Sequence, residues 1–308
     1  MLGVVTGFAV VWIIILVGYL IGRLGILGQN AQTVLSRLAF FVASPALLLT
    51  TLSDADLHTV FSLPLLVAAA SAVATALAFV LVTRWWLRRP LPEALVSAMS
   101  SSLVNAANLG LPIAVYVLGD AAYIAPVLIF QLAFFTPVFL MLMDSATSGR
   151  RTSPVTFLTQ VVRNPIVLGS LIGLFLAATG IRLPEIIREP VSLIGGAAVP
   201  AMLLAFGISL VGSRLLQRDG ERRTDVVLAS CFKLLLQPLL AYLLARFVLG
   251  LDGHLLFAVV VTAALPTAQN VFVAASRYEQ GVLVAKDTVL LTTIASMPVL
   301  IAVAALLT

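Results

Sequence analysis

Long apolar runs, separated by short polar punctuation, recur from one end of the chain to the other. A helix that crosses a bilayer needs roughly 20 apolar residues. Runs of that length predict ten spans, at 2–22, 31–51, 61–83, 92–118, 121–143, 157–179, 187–211, 225–249, 254–277 and 282–307. Gly, Pro and charged residues mark their ends. The longest polar interruption, 211–225, carries Arg214, Arg218, Arg222 and Arg223, and no extramembrane domain fits anywhere. The N-terminus is apolar from its start and lacks a basic segment or a small-residue cleavage site. Residues 2–22 are therefore read as a span and not as a removed signal peptide.

Composition sharpens this pattern. Of 308 residues, 61% are hydrophobic and 10% are charged, where a soluble domain carries roughly 25% charged residues. Mean hydropathy is +1.13. A soluble protein of this size cannot hide so much apolar surface. That excludes a cytosolic enzyme, a nucleic-acid binder and a disordered chain, and predicts an all-α polytopic membrane protein with the bilayer as its partner. The single cysteine, Cys231, rules out an intrachain disulfide and a cysteine-based metal site. His58 and His254 stand far apart in loops, and no zinc-protease, nucleotide-binding or nucleophile-elbow motif is present. No catalytic residue, metal ligand or cofactor is expected, so the chain is not read as an enzyme.

The net charge of +5 is unevenly placed. The loops after odd-numbered spans hold Arg23, Arg84, Arg88, Arg89, Arg150, Arg151, Arg163, Arg214, Arg218, Arg222, Arg223 and Arg277. The opposite loops hold Arg182, Arg188 and Arg246 beside acids such as Asp54, Asp56, Asp120 and Asp252. Basic loops stay in the cytoplasm, which places both termini outside.

The chain also resembles itself. Gly18 and Gly173, Gly25 and Gly180, and Pro45 and Pro200 share an offset of 155 residues, with A-S-P-A-L-L-L over A-V-P-A-M-L-L. Asn108 and Asn270, Tyr116 and Tyr278, and Gly119 and Gly281 share an offset of 162. Two five-span halves, 1–143 and 157–308, follow. An odd number of spans per half makes the repeat an inverted one.

Two spans are polar at equivalent places. Span 4 reads S-S-S-L-V-N-A-A-N-L-G-L-P from Ser100 to Pro112, and span 9 reads A-L-P-T-A-Q-N from Ala264 to Asn270. Pro removes a backbone donor and disfavours helix at the preceding residue. Amides are costly in lipid unless they face protein or water. Paired interruptions point to discontinuous helices around a midplane binding site. The second half of a broken helix starts with free N–H groups and a positive dipole end, which suits an anion. On this reading Pro112 lies in the first turn of such a half-helix, and Asn105 and Asn108 share a face. The alternative is a pair of proline kinks whose amides satisfy neighbouring helices.

These residues resemble the auxin efflux carrier family. N-A-A-N-L-G-L-P (105–112) is similar to its span-4 motif. A-L-P-T-A-Q-N-V-F-V-A-A-S-R-Y (264–278) with T-V-L-L-T-T-I-A-S-M-P (288–298) is similar to its C-terminal signature, and R-N-P-I-V-L-G-S-L-I-G (163–173) and V-P-A-M-L-L-A-F-G-I-S-L (199–210) also fit. The resemblance covers the whole chain. It implies ten helices in two inverted repeats, distantly similar to bile-acid sodium symporters, with helices 4 and 9 broken and crossing. It implies a scaffold from 1–51 and 157–211, a transport domain from 61–143 and 225–308, an elevator-like movement and a homodimer through the scaffold. It implies transport of small organic anions, carboxylates of the auxin or malate and malonate kind. The absence of a long central hydrophilic loop suits a bacterial inner-membrane member. The residues expected at the substrate are Asn105, Asn108, Gly110, Pro112, Gln131, Pro266, Gln269 and Asn270.

Lys286, Asp287 and Thr292 in span 10 are candidates for ion or proton coupling, with Na⁺ and H⁺ both open. The competing reading of Lys286 and Asp287 puts both at the cytoplasmic interface, with Lys286 snorkelling. Thr136, Thr293 and Ser296 are weaker candidates, since hydroxyls often bond their own helix. Arg37 and Lys233 are expected to snorkel, and Trp85 and Trp86 to anchor at the interface. Two further readings are a sodium-coupled symporter of the bile-acid type and a non-transporting sensor. The loops are too short for a sensor's output domain.

Overall fold

The computed structural model describes residues 2–54, 63–148, 163–212 and 222–307. His58, Asp56, Arg150, Arg151, Arg214, Arg218 and the starts of the spans expected at 61 and 157 lie outside the described residues.

The described chain is helical, and its only strand-like contact is one isolated bridge. The helices are α1 (Leu2–Leu24), α2 (Ala31–Ser53), α3 (Leu63–Trp86), α4 (Leu91–Ser102), α5 (Ala106–Leu118), α6 (Ala121–Thr147), α7 (Pro165–Thr179), α8 (Glu185–Ser209), α9 (Arg223–Val248), α10 (Gly253–Ala263), α11 (Asn270–Tyr278) and α12 (Val282–Leu307). Six of them, α2, α3, α6, α8, α9 and α12, are long and apolar enough to cross a membrane. Shorter apolar helices run over Ala9–Leu24, Ala106–Leu118, Pro165–Thr179 and Gly253–Ala263. The runs expected as broken spans 4 and 9 are each split, into α4 and α5 and into α10 and α11.

Contacts divide the chain into two units. The first holds the described parts of Met1–Pro64, Ala106–Ile129 and Val161–Ser213. The second holds those of Leu65–Asn105, Phe130–Gln160 and Arg214–Thr308.

Inside the first unit, α1 packs on Ala198–Ser209 of α8, and α7 packs on Ser44–Ser53 of α2. Glycines permit both approaches. A Cβ on Gly18 would stand 2.5 Å from the carbonyl oxygen of Leu204, and one on Gly173 would stand 2.7 Å from that of Leu49. Small residues let helix backbones meet closely where lipid supplies no hydrophobic drive. The two contacts exchange with each other under the sequence offset of 155, since Gly18 maps to Gly173 and Leu49 to Leu204.

Inside the second unit, α12 packs on α4, α10, α11 and the first half of α9. The ends of α3 and α9 match. Each finishes in a widened five-residue turn, Val82–Trp86 and Leu244–Val248. The bonds Leu87 N–H to Val82 O and Arg89 N–H to Thr83 O recur as Leu249 N–H to Leu244 O and Leu251 N–H to Ala245 O. These pairs share the offset of 162. Trp85 and Trp86 are exposed, as interfacial rings would be.

Candidate functional site

The site grows from the break between α4 and α5. Helix α4 ends at Ser102, and Leu103 turns extended with φ −83° and ψ 114°. In the second unit the matching break follows α10, where Pro266 cannot donate to a helix ladder and disfavours helix at Leu265. The two extended stretches pair antiparallel at Val104 and Thr267. Asn105 N–H donates to Pro266 O at 2.7 Å, and Ala268 N–H donates to Leu103 O at 3.0 Å. This exchange of one donor and one acceptor each way is the unit of an antiparallel ladder. It satisfies backbone that neither helix nor lipid can serve.

The carboxyl ends of the two helices are served by side chains. Thr267 Oγ1 donates to Ser100 O at 2.6 Å, and Gln237 Nε2 donates to Ser102 O at 3.0 Å. Lys233 Nζ donates to Ala263 O at 2.8 Å. On the other side Thr292 Oγ1 accepts from Thr267 N–H at 3.0 Å and donates to Thr288 O at 2.7 Å. A helix leaves its last carbonyls without internal partners, and here α9 and the break itself supply donors. The paired backbone is thus held by side chains of α9 and of α12.

Of the residues expected at the substrate, the structure brings Asn105 and Pro266 into direct contact, and Thr292, a coupling candidate, joins the same turn through Thr267. Asn105 is buried. Gln269 precedes α11 and is half-buried, and Asn270 is its first residue and exposed. Gln131 is buried in the second unit, and its Nε2 has no hydrogen-bond partner among the described residues. Asn108 is half-buried, and Gly110 and Pro112 are buried. All three belong by contact to the first unit. Asp287 is buried with Oδ2 unpartnered among the described residues, while Lys286 before it is half-buried. Thr293 is buried with its Oγ1 unpartnered, and Ser296 bonds its own helix.

Three expectations need correction. Pro112 is not in the first turn of its half-helix, because the helix starts at Ala106. A widened turn, Ala106–Gly110, precedes it, and the extra residue makes room where a proline ring would meet the preceding carbonyls. Asn105 and Asn108 do not share a helix face, because Asn105 lies in the extended break. Lys233 does not snorkel. It is 0% exposed, although Arg37 is exposed as expected. Lys233 lies within a widened turn, Phe232–Leu236, and its Nζ reaches Ala263 O. Sequence reading missed Lys233, Gln237 and Thr267 as parts of the break. The available signal was a Lys and a Gln four residues apart inside an apolar run, the spacing of one helix face.

Against this geometry, the comparison with known proteins is direct. The model of a family described as "Membrane transport protein" matches residues 4–303. The chain belongs to that family. It is the family of the auxin efflux carrier type that residues 105–112 and 264–278 resemble. A protein from Rhizobium meliloti (strain 1021) named "Putative malonate transporter" is 27% identical over 292 residues, covering 92% of this chain and 89% of its own. An "Uncharacterized transporter" from Methanothermobacter thermautotrophicus is 27% identical over 292 residues, covering 93% of each chain. The Escherichia coli (strain K12) "Uncharacterized transporter YfdV" is 24% identical over 277 residues, covering 86% of this chain and 85% of its own. This membrane transport protein is therefore multi-pass, and the break between its helices belongs to a transporter.

Proposed function

We propose that this chain is a secondary transporter of small organic anions, of the carboxylate class, across the cytoplasmic membrane of a bacterium. The observation that carries the reading is the reciprocal pairing of two non-helical stretches, at Val104 and Thr267, within an otherwise apolar helical chain. Broken helices of this kind give a transporter polar backbone where a substrate can reach it. The amino end of α11 adds a positive dipole end with Asn270 at its first position. The name of the Rhizobium relative favours a dicarboxylate among the carboxylates.

The wider architecture belongs to the same proposal. Ten spans in two inverted five-helix repeats are supported by the exchange of the Gly18–Leu204 and Gly173–Leu49 contacts and by the matched ends of α3 and α9. Spans 4 and 9 cross at the paired stretches, and the body that carries the crossing moves in an elevator-like cycle against the scaffold of a homodimer. The arginine bias supports termini on the periplasmic side.

Asn105, Gln269 and Asn270 are assigned to the substrate or to the backbone that meets it. Counterflow of labelled malonate into proteoliposomes tests this. Asn105→Ala and Asn270→Ala are each expected to cut counterflow at least about tenfold, the loss of one charge-assisted hydrogen bond, while the variants still elute as folded protein. Wild-type counterflow in both variants refutes the assignment.

A further inference from the structure

We infer that the carboxyl end of α3 binds an anionic phospholipid, its phosphate held by Arg84 and Arg88 and its acyl chains lying along the exposed face of the helix. The inference starts from two turns that the offset of 162 makes equivalent. Helix α3 exposes Val73, Leu77 and Leu81, and α9 exposes their counterparts Leu235, Leu239 and Leu243. The four-residue spacing puts each set on one helix face. In a multi-pass membrane protein such an exposed apolar stripe meets acyl chains. Each stripe runs into a widened turn of the same form, closed by the same two backbone bonds. Arg84 and Trp85 map to Arg246 and Phe247, so both stripes end in an arginine beside an aromatic ring. The turns then diverge. Trp86 stands where the other turn has Val248, Arg88 where it has Gly250, and Arg89 where it has Leu251.

The exchange at Arg88 carries the inference furthest. Both residues have a left-handed backbone, Gly250 at φ +66° and Arg88 at φ +52°. Glycine adopts it freely, whereas a residue with a Cβ is strained there. Strain of this kind persists where the side chain that bears it is used. Arg84 Nη1 donates to Arg89 O at 2.7 Å, which brings its guanidinium back to the turn that carries Arg88. Two like charges on one turn repel each other unless an anion joins them. The protein does not supply that anion. Asp225 is taken by Arg89 and Glu93 by Arg222, and Arg84 and Arg88 enter no ion pair among the described residues. Guanidinium forks match the oxygens of a phosphate. Trp85 and Trp86, 78% and 68% exposed, are rings of the kind that sit at the level of lipid headgroups. A phospholipid supplies both the phosphate and the chains for the stripe below it, which a soluble phosphate does not. A headgroup with net negative charge gains from two arginines what a zwitterionic one does not.

Lipid retention by the purified full-length protein, read by native mass spectrometry, tests the inference without any substrate. Its outcome is therefore separate from whether carboxylates are transported and from which way the chain is oriented. The wild type is expected to retain dioleoylphosphatidylglycerol over dioleoylphosphatidylcholine by at least about tenfold, at about fivefold per arginine. Arg88→Gly, which installs the residue of the equivalent turn, is expected to lower that preference about fivefold. Its melting temperature without lipid is expected to hold or rise, because glycine fits the left-handed backbone. Should it melt lower, Arg88→Gln decides, since it keeps the stem and loses the charge: loss of the preference supports the inference, and wild-type preference overturns it. Equal retention of the two lipids by the wild type overturns the inference, as does an unchanged preference in Arg88→Gly. An equal loss in Arg246→Gln, at the equivalent turn, shows that any interfacial arginine serves, and the inference fails. Displacement of the lipid by free glycerol 3-phosphate shows that the turn reads phosphate alone, and that also overturns it.

Discussion

Arg89 grips Asp225 with two guanidinium nitrogens, Nε to Oδ1 at 3.0 Å and Nη2 to Oδ2 at 2.8 Å. Asp225 is 1% exposed and Arg89 25% exposed. Removing one partner of a buried pair costs about 3–5 kcal/mol because the other charge is stranded. Arg89 can rehydrate in part, so Asp225→Asn is expected to lower unfolding stability by about 2 kcal/mol. Asp54→Asn breaks the exposed pair with Arg188, 2.7 Å apart, and is expected to change stability by less than about 0.5 kcal/mol. Denaturant titration of the two variants beside the wild type checks the contrast. Equal losses would show that burial does not set the strength of these pairs. Single-residue roles were the least legible in the sequence. Distance along a span placed Lys233 near an interface. It lies instead in a widened turn and bonds the end of a helix 30 residues away in sequence, and neither is written in the run around it.

At the scale of the element, apolar runs were readable because lipid admits helices and little else. The interruptions were readable as well, since Asn105, Pro112, Pro266 and Asn270 are out of place in hydrocarbon. The position of the first break was not. Pro112 drew the eye, yet the chain leaves the helix at Leu103, where no proline stands. A partner strand around Thr267 satisfies that backbone, and such a partner is invisible to local propensity. The glycine contacts yield a prediction at this scale. Gly18→Ala and Gly173→Ala each push a methyl into a facing helix backbone, at Leu204 and at Leu49. Overpacking of this kind costs about 1–3 kcal/mol. Both variants are expected to melt below the wild type by similar amounts, because the two contacts have the same form. A large loss in one variant and none in the other would argue against the equivalence of the two halves.

At the scale of the whole molecule, family membership and multi-pass topology agree with what composition demanded. The substrate and the driving force are the remaining steps of the proposal. On the proposed reading, a secondary transporter runs on gradients and on the membrane potential. A monovalent anion crossing that potential gains or loses roughly 2.3 kcal/mol per 100 mV. Outward movement to the positive side is then favourable without a partner ion. The most direct test is the accumulation of labelled malate, malonate, lactate and indole-3-acetate in proteoliposomes, with Na⁺, pH and potential set separately. The account predicts that at least one of these carboxylates accumulates when the lumen is made positive and Na⁺ is absent. Transport of a neutral or cationic solute with no carboxylate, or carboxylate uptake that stops without Na⁺, would contradict it.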